Sequence, residues 1–333
     1  MEIVLNNKNL KLIEKVATHG IKIKSENIVG HNVREDVLIS LNGNEVIKEG
    51  EVNLNKDALK YLNNKDKIIV ESKNEEVFIK QNKRKITTKD FVFPDKNIDD
   101  IEIKSEKLFT ITKEALQQIY EIKYAVAKDE TRPILQTIHI DNENLVALDG
   151  YRLAIRKHNI KDIKDIKDEL NIPYKIFNIC NKLKIEDNLD VYEYRGNIIL
   201  TNETISLQVN KIEGEYIKYK CLLPKESTTT LKVNQKDLLS LLKAYKGLDW
   251  VKFNLEEEGL LKLKAKGNIT IQDELEANIK GDLKEIAFNI GYLIDTVKCY
   301  SGEITMQLMK EVSPMIIEQD DKYDLVLPIR VNK

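Results

Sequence analysis

LVALDGYRLAIR, Leu145 to Arg156, reads as strand, tight turn, strand. Leu145, Val146, Ala147 and Leu148 run into Asp149-Gly150, and a second apolar run through Leu153 and Ile155 follows. Aspartate-glycine between two apolar runs is a hairpin signal, because glycine takes positive φ without a steric cost. The turn is expected to expose Tyr151 and Arg152 at its far side. Taken alone it is an ordinary hairpin with a solvated arginine, and its neighbours give it meaning. Upstream lies ETRPIL (Glu130 to Leu135), downstream CLLPKE (Cys221 to Glu226), and further on LVLPIRV (Leu325 to Val331).

Working outward, the same strand, cap, helix pattern occurs three times, at NNKNLKLIEKV from Asn6, TKEALQQIYEI from Thr112 and NQKDLLSLLKA from Asn234. In each, an Asn or Thr suited to cap a helix precedes leucines and isoleucines at helical spacing. A second helix is expected in each repeat, in NKDALKYLNN from Asn55, IPYKIFNICNKL from Ile172 and NIGYLIDTVKCY from Asn289. Each is followed by a meander of short strands. The starts lie roughly a hundred residues apart, a domain's length. Polarity rises near DKNIDDIEIKSEK (Asp95 to Lys107) and PKESTTT (Pro224 to Thr230), which places the boundaries there. KDIKDIKDEL from Lys161 reads as a solvated turn or loop without a function.

The chain has 333 residues and a formal net charge of -2, from 53 basic and 55 acidic side chains. Net charge limits only the average; charges sorted onto different faces still build a basic surface. Such sorting is visible. Lys8, Lys11 and Lys15 share one face of the first helix, opposite Leu10, Ile13 and Ala17, and Lys236, Ser240 and Lys243 share a face of the third-repeat helix. The middle repeat is less basic, and Arg132 is its expected phosphate contact. The alternative for every such lysine is simple solvation. Cys180, Cys221 and Cys299 are far apart among apolar neighbours, so buried free thiols are expected rather than disulfides or metal ligands. No apolar run approaches the roughly 18 residues that a membrane span needs.

The four segments ETRPIL, LDGYRL, LLPK and LPIR, in this order, resemble the beta subunit of bacterial DNA polymerase III, the sliding-clamp family, from about Phe109 to Val331. The resemblance implies an α+β chain of three similar domains with the DNA clamp fold, 1–104 (shortened), 105–226 and 227–333. Each would pack two helices on antiparallel sheet, together forming a half-ring. It also implies a cytoplasmic, non-catalytic homodimer around duplex DNA, without metal or cofactor. DNA polymerase III alpha subunit and the clamp loader would bind through short linear peptides.

The family's peptide pocket carries over to Leu135, Leu148, Gly150, Tyr151, Arg152, Leu153 and Pro224, and to Asn289, Tyr292, Val312, Leu327, Pro328, Ile329 and Arg330. The residue chemistry fits such a role. Leucines, prolines and a tyrosine suit an apolar cleft, while Arg152, Arg330 and Asn289 are expected to offer directed hydrogen bonds. The same residues also suit an interdomain core. Leu148 and Tyr151 stand where many clamps have threonine and histidine, which implies a shifted peptide preference. THGIKIKSEN lacks a longer family segment, and the third domain is short after AYKG (Ala244 to Gly247).

Two other readings are carried. One is a divergent monomeric paralogue that sequesters clamp-binding partners. The other is a metal-dependent phosphodiesterase, which would need a divalent ion bound at Asp129, Glu130 or Asp149. His19, His31, His139 and His158 form no HExxH, and the chain has no Walker loop or GxSxG.

Overall fold

The three repeats fold on one plan of strand, helix, strands, helix, meander. The first runs β1 (Glu2–Leu5), α1 (Asn7–Val16), β2 (Gly20–Lys24), β3 (Asn27–Asn32), β4 (Val37–Asn42), β5 (Glu45–Lys48), β6 (Glu51–Asn55), α2 (Lys56–Leu59), β7 (Ile68–Lys73), β8 (Glu76–Gln81) and β9 (Arg84–Lys89). The second runs β10 (Phe109–Ile111), α3 (Lys113–Ile122), β11 (Thr137–Ile140), β12 (Asn144–Leu148), β13 (Arg152–Lys157), β14 (Leu170–Pro173), α4 (Tyr174–Leu183), β15 (Leu189–Tyr194), β16 (Asn197–Thr201) and β17 (Ile205–Asn210). The third runs β18 (Thr229–Asn234), α5 (Gln235–Ala244), β19 (Trp250–Asn254), β20 (Leu260–Lys266), β21 (Thr270–Lys280), β22 (Glu285–Asn289), α6 (Ile290–Val297), β23 (Glu303–Leu308), β24 (Met315–Gln319) and β25 (Lys322–Val326). This computed structural model describes residues 2–63, 66–92, 101, 103–160, 163, 169–224, 226–257 and 259–331. KDIKDIKDEL lies largely outside the described residues, as does much of DKNIDDIEIKSEK.

The helix starts follow from their caps. Asn6 Oδ1 accepts from the N–H groups of Lys8 and Asn9, Asn234 Oδ1 from those of Lys236 and Asp237, and Thr112 Oγ1 from that of Ala115. Asn55 caps α2 and Asn289 caps α6 in the same way. Each cap satisfies otherwise orphaned donors and contributes about 1 kcal/mol. The expected second helix of the first repeat is only one turn, Lys56–Leu59. Leu59 is its one buried residue, so it lacks the apolar stripe that holds α4 and α6 against their cores.

The chain divides into two compact units, Met1–Tyr120 with Ile160–Ile212, and Glu121–Asn159 with Glu213–Lys333. In the first unit one sheet has the order β5-β1-β7-β8-β9, and another β10-β15-β16-β17-β4-β3-β2-β6. The pairing of β17 with β4, from Ile205↔Leu41 to Val209↔Val37, makes one sheet of strands from the first and second repeats. Gly30 lets α1 lie close on β3, since a Cβ there would sit 3.0 Å from Ile13 and Ala17. Within the second unit the order is β11-β12-β13-β25-β24-β23-β18-β21-β20-β19-β22. Here β13 pairs with β25, from Arg152↔Val326 to Arg156↔Lys322, and joins strands of the second and third repeats. The middle repeat thus gives β10 and β14 to β17 to the first unit and β11 to β13 to the second.

Candidate functional site

The hairpin Leu145 to Arg156 forms as expected, with Leu148 opposite Leu153 and Gly150 at φ +89° in the turn. Asp149 locks the turn by accepting from the N–H groups of Tyr151 (2.9 Å) and Arg152 (3.0 Å). Tyr151 stands 60% exposed. Arg152 does not, and the expectation of an exposed arginine is corrected: it is 6% exposed. Its Nε donates to Asp149 Oδ2 and its Nη1 to Asp295 Oδ2, both at 3.0 Å, and its guanidinium lies 4.3 Å from the Tyr292 ring centroid and 5.1 Å from that of Tyr124. Two carboxylates and two rings hold the cation more firmly than a turn tip in water would. Burial pushes the Asp295 carboxyl up, but hydrogen bonds from Lys298 and Arg152 outweigh it and hold the group below the usual range.

Leu135, Leu148 and Leu153 are buried in one cluster with Val146, Ile155, Tyr216, Tyr219 and Leu325, and Leu223 and Leu327 pack against it half-buried. Pro224 follows Leu223 and is half-buried too. Tyr151 reaches Tyr292, with ring centroids 5.9 Å apart. Asn289 spends its Oδ1 on the α6 cap, accepting from the N–H of Tyr292 at 3.1 Å. Beyond β25 the backbone runs on from the hairpin to the edge of β22: Leu327 N–H donates to Tyr151 O and Ile329 N–H to Ala287 O, each at 2.8 Å. A cavity of about 250 Å³ opens there, lined by Val312, Ile329 and Arg330 together with Lys252, Glu285, Ile286, Ala287, Glu311 and Val331. Pro328 lies half-buried on the segment connecting the two places. The predicted residues therefore form two neighbouring groups, an apolar cluster at the hairpin and an amphipathic cavity at the β22 edge.

Sequence reasoning missed what lies beneath. Asp324, 0% exposed, accepts from Tyr124 Oη and Tyr300 Oη at 2.6 Å and from Arg156 Nη1 and Nη2 at 3.2 and 3.1 Å. Arg156 is itself fully buried and also faces Glu121 at 3.4 Å. Part of the signal was present: an arginine in LAIR and an aspartate in YDLV, each inside an apolar strand run, imply buried charges that need partners, though not which partners. A second network ties Tyr219 down. Its Oη donates to Asp141 Oδ2 at 2.6 Å and accepts from Asn144, and Lys220 Nζ stands 3.1 Å from the same carboxylate oxygen. Burial raises the Asp141 carboxyl, but hydrogen bonds from Tyr219, the Glu143 and Asn144 N–H groups and Lys220 prevail and bring it down to about 2.

On the helices, Lys8, Lys11 and Lys15 of α1 are exposed over buried Leu10, Ile13 and Ala17, and Lys236, Ser240 and Lys243 of α5 are exposed over buried Leu238 and Leu242. Arg132 is exposed just ahead of the short turn Pro133–Gln136. Cys180 is buried and Cys299 half-buried, but Cys221 is exposed, which corrects the expectation of three buried thiols; its segment is a turn with Lys220 and Leu222 also exposed. Of the acidic residues considered for a metal, Asp129 accepts from the Thr131 N–H and Asp149 holds Arg152. Among the described residues no group of three or more His, Cys, Asp or Glu is placed to hold a metal ion.

Two family models match the chain, the central domain of the DNA polymerase III beta subunit over residues 110–218 and its C-terminal domain over residues 220–330. The chain belongs to the DNA polymerase III beta subunit family. It is similar to the beta sliding clamp of Staphylococcus aureus (strain Mu50 / ATCC 700699), 26% identical over 230 residues that make up 64% of this chain and 61% of that protein. With the beta sliding clamp of Streptococcus pneumoniae serotype 4 it shares 25% identity over 252 residues, 68% of this chain and 65% of that one. The fold extends further than the family models. The solved DNA polymerase sliding clamp of Bacillus subtilis, 19% identical, superposes with a TM-score of 0.87 over all of both chains. The DNA polymerase III beta chain of Streptococcus pneumoniae TIGR4, 20% identical, does so with 0.84 over 99% of this chain and all of that one. The described residues of the first repeat thus share the clamp fold, although the two matching family models begin at residue 110.

Proposed function

We propose that the chain is a DNA sliding clamp, a non-catalytic, cytoplasmic processivity subunit whose two copies close head to tail around duplex DNA. Its domains would be 1–104, 105–226 and 227–333, forming a half-ring. The carrying observation is a pair of in-chain seams and the edges left over. The last strand of the second repeat, β17, pairs with β4 of the first, and the last strand of the third, β25, pairs with β13 of the second. By the same rule β9, the last strand of the first repeat, would pair with the matching strand of the third, which is β21. Both edges are open among the described residues: β9 ends its sheet, and β21 bonds β18 only through Ala277–Lys280, leaving one edge of Thr270–Glu276 unpaired. An open edge of this kind is a pairing template. The charges agree, with exposed Arg84, Lys85 and Lys89 on β9 against Glu274 and Glu276 on β21. Head-to-tail pairing that closes after two copies makes a ring.

In that ring the lysine faces of α1 and α5, with Arg132, would meet phosphates without reading bases, as sliding requires. The hairpin cluster and the β22 cavity would take a short linear peptide from the DNA polymerase III alpha subunit or the clamp loader. Sedimentation at micromolar concentration tests the closure: a dimer is expected, and Lys85→Glu with Lys89→Glu should give monomers that Glu274→Lys with Glu276→Lys restores. With loader and ATP, the protein should survive a salt wash on circular DNA and run off once the circle is cut. A wild-type monomer, or equal loss from circles and linear DNA, would favour the sequestering paralogue.

A further inference from the structure

Beside the β22 cavity, the outer face of the third repeat carries cations that the peptide cleft does not use. Lys252 of β19 lines the cavity and is held by Glu285 at 3.0 Å. Directly opposite it in register on β20 is Lys264, and the next pair on the same face is Trp250 with Lys266. Like charges placed opposite each other on antiparallel strands cost stability. Lys262, the third lysine of this row, is offset by Glu257 and stands opposite Glu274, so its charge is answered locally. Lys264 and Lys266 are exposed and make no ion pair among the described residues, and neither does Arg330 on the cavity wall. Lys264 faces uncharged Gln272 on its other side, and Lys266 faces Thr270. Two unanswered cations on β20, Lys264 and Lys266, thus lie beside the cavity that Lys252 and Arg330 line.

We propose that this lysine pair is a second subsite for the acidic flank of the same linear peptides, resting on the peptide-cleft reading above. The apolar anchors would sit in the hairpin cluster and the cavity, while aspartates or glutamates next to them would lie over Lys264 and Lys266. The cleft residues then set whether a peptide binds, and the lysine pair ranks the peptides that do. The surface is flat and solvated, so its contribution is a modest, salt-sensitive preference for charge.

The test is calorimetric titration of the full-length protein with four versions of one polymerase C-terminal peptide: neutral, with two aspartates added before its apolar anchors, with two added after them, and with two lysines in place of the more effective aspartates. One acidic version should bind about fivefold tighter than the neutral peptide at low salt, an advantage that disappears at high salt. In the Lys264→Glu, Lys266→Glu variant the neutral peptide should bind as before, the acidic advantage should vanish, and a peptide with two added lysines should gain. If the neutral peptide binds and neither acidic version gains, or if the gain survives in the variant, the subsite is overturned while the cleft stands. If no version binds, the cleft reading itself fails, and the subsite with it.

Discussion

Two seams join strands of different repeats, and they are sealed differently. At β4 and β17 the core-facing partners are apolar: Val37 with Val209, Ile39 with Leu207, Leu41 with Ile205. Its polar contacts lie at the edges, where Glu35 meets Asn178 and Lys182 at 3.2 Å and Asp36 meets Asn210. At β13 and β25 both faces of the strand are covered, so Arg152 through Arg156 are all buried. One face enters the apolar cluster with Leu153 and Ile155; the other carries Arg156 and Asp324, closed by Tyr124 and Tyr300. A strand buried on both faces loses the alternation that lets polar groups reach water, so every charge on it must be satisfied inside. The seam beside the candidate cleft is therefore pinned by a buried ion network, and the other is not.

Mutation should show this difference at its largest. Asp324→Ala leaves Arg156 buried without its main partner and should cost about 3–5 kcal/mol in urea unfolding, whereas Glu35→Ala at the first seam should cost no more than about 1 kcal/mol. Replacing Arg156 and Asp324 together by Met and Leu should be milder than Asp324→Ala alone, because no charge is then stranded. Equal losses for Asp324→Ala and Glu35→Ala would remove the distinction.

A smaller effect should separate the seams by function. Removing Leu327 to Lys333 deletes the hydrogen bonds to Tyr151 and Ala287 and one wall of the cavity. Affinity for a polymerase C-terminal peptide should drop by at least about 2 kcal/mol, roughly thirtyfold. Thermal unfolding followed through the first unit should not shift. Unchanged peptide affinity would place the binding surface elsewhere.

Much of this was legible in the sequence where the signal is local. Caps at Asn6, Thr112, Asn234 and Asn289, the hairpin at Asp149-Gly150 and the three meanders each depend on neighbours a few residues apart. The buried network does not. Tyr124 and Asp324 meet across 200 residues and Arg156 and Asp324 across 168, through a seam register that no local pattern encodes. Arg152 was misplaced for the same reason, since its burial depends on Asp295 and Tyr292, brought in by α6. The length of α2 was misjudged because propensity alone does not sustain a helix whose apolar stripe stops at Leu59.

Acid should affect the cleft side of the second unit through Asp141. Its carboxyl titrates near 2 in the folded protein, below its usual 3.8. A depressed carboxylate contributes stability that is complete above the unfolded value and is lost as pH falls through the folded one. The contribution should be about 1–2 kcal/mol, reduced from the full linkage value because Lys220 is largely exposed. Asp141→Asn should thus lower stability at pH 7 and flatten its dependence between about pH 4 and 2. A variant that unfolds along the wild-type pH curve would show that the Tyr219 tether does not depend on the charge.

The smallest effect asks whether helices from the two units do one job despite their different seams. Lys11 on α1 and Lys243 on α5 are both exposed, on faces whose opposite sides are buried. If both faces meet DNA phosphates, Lys11→Ala and Lys243→Ala should each reduce the log-log salt slope of DNA binding by about 0.9, and the double variant by about twice that. Sequence preference should not change in any of them, since phosphate contacts carry no base information. A loss confined to Lys243→Ala would mean that only the third-repeat helix faces DNA, and no loss from either would leave both rows simply solvated. Equal losses would mean that the first and third repeats share a charged face although the seams differ, because phosphate contacts add helix by helix while the buried ion network belongs to one seam alone.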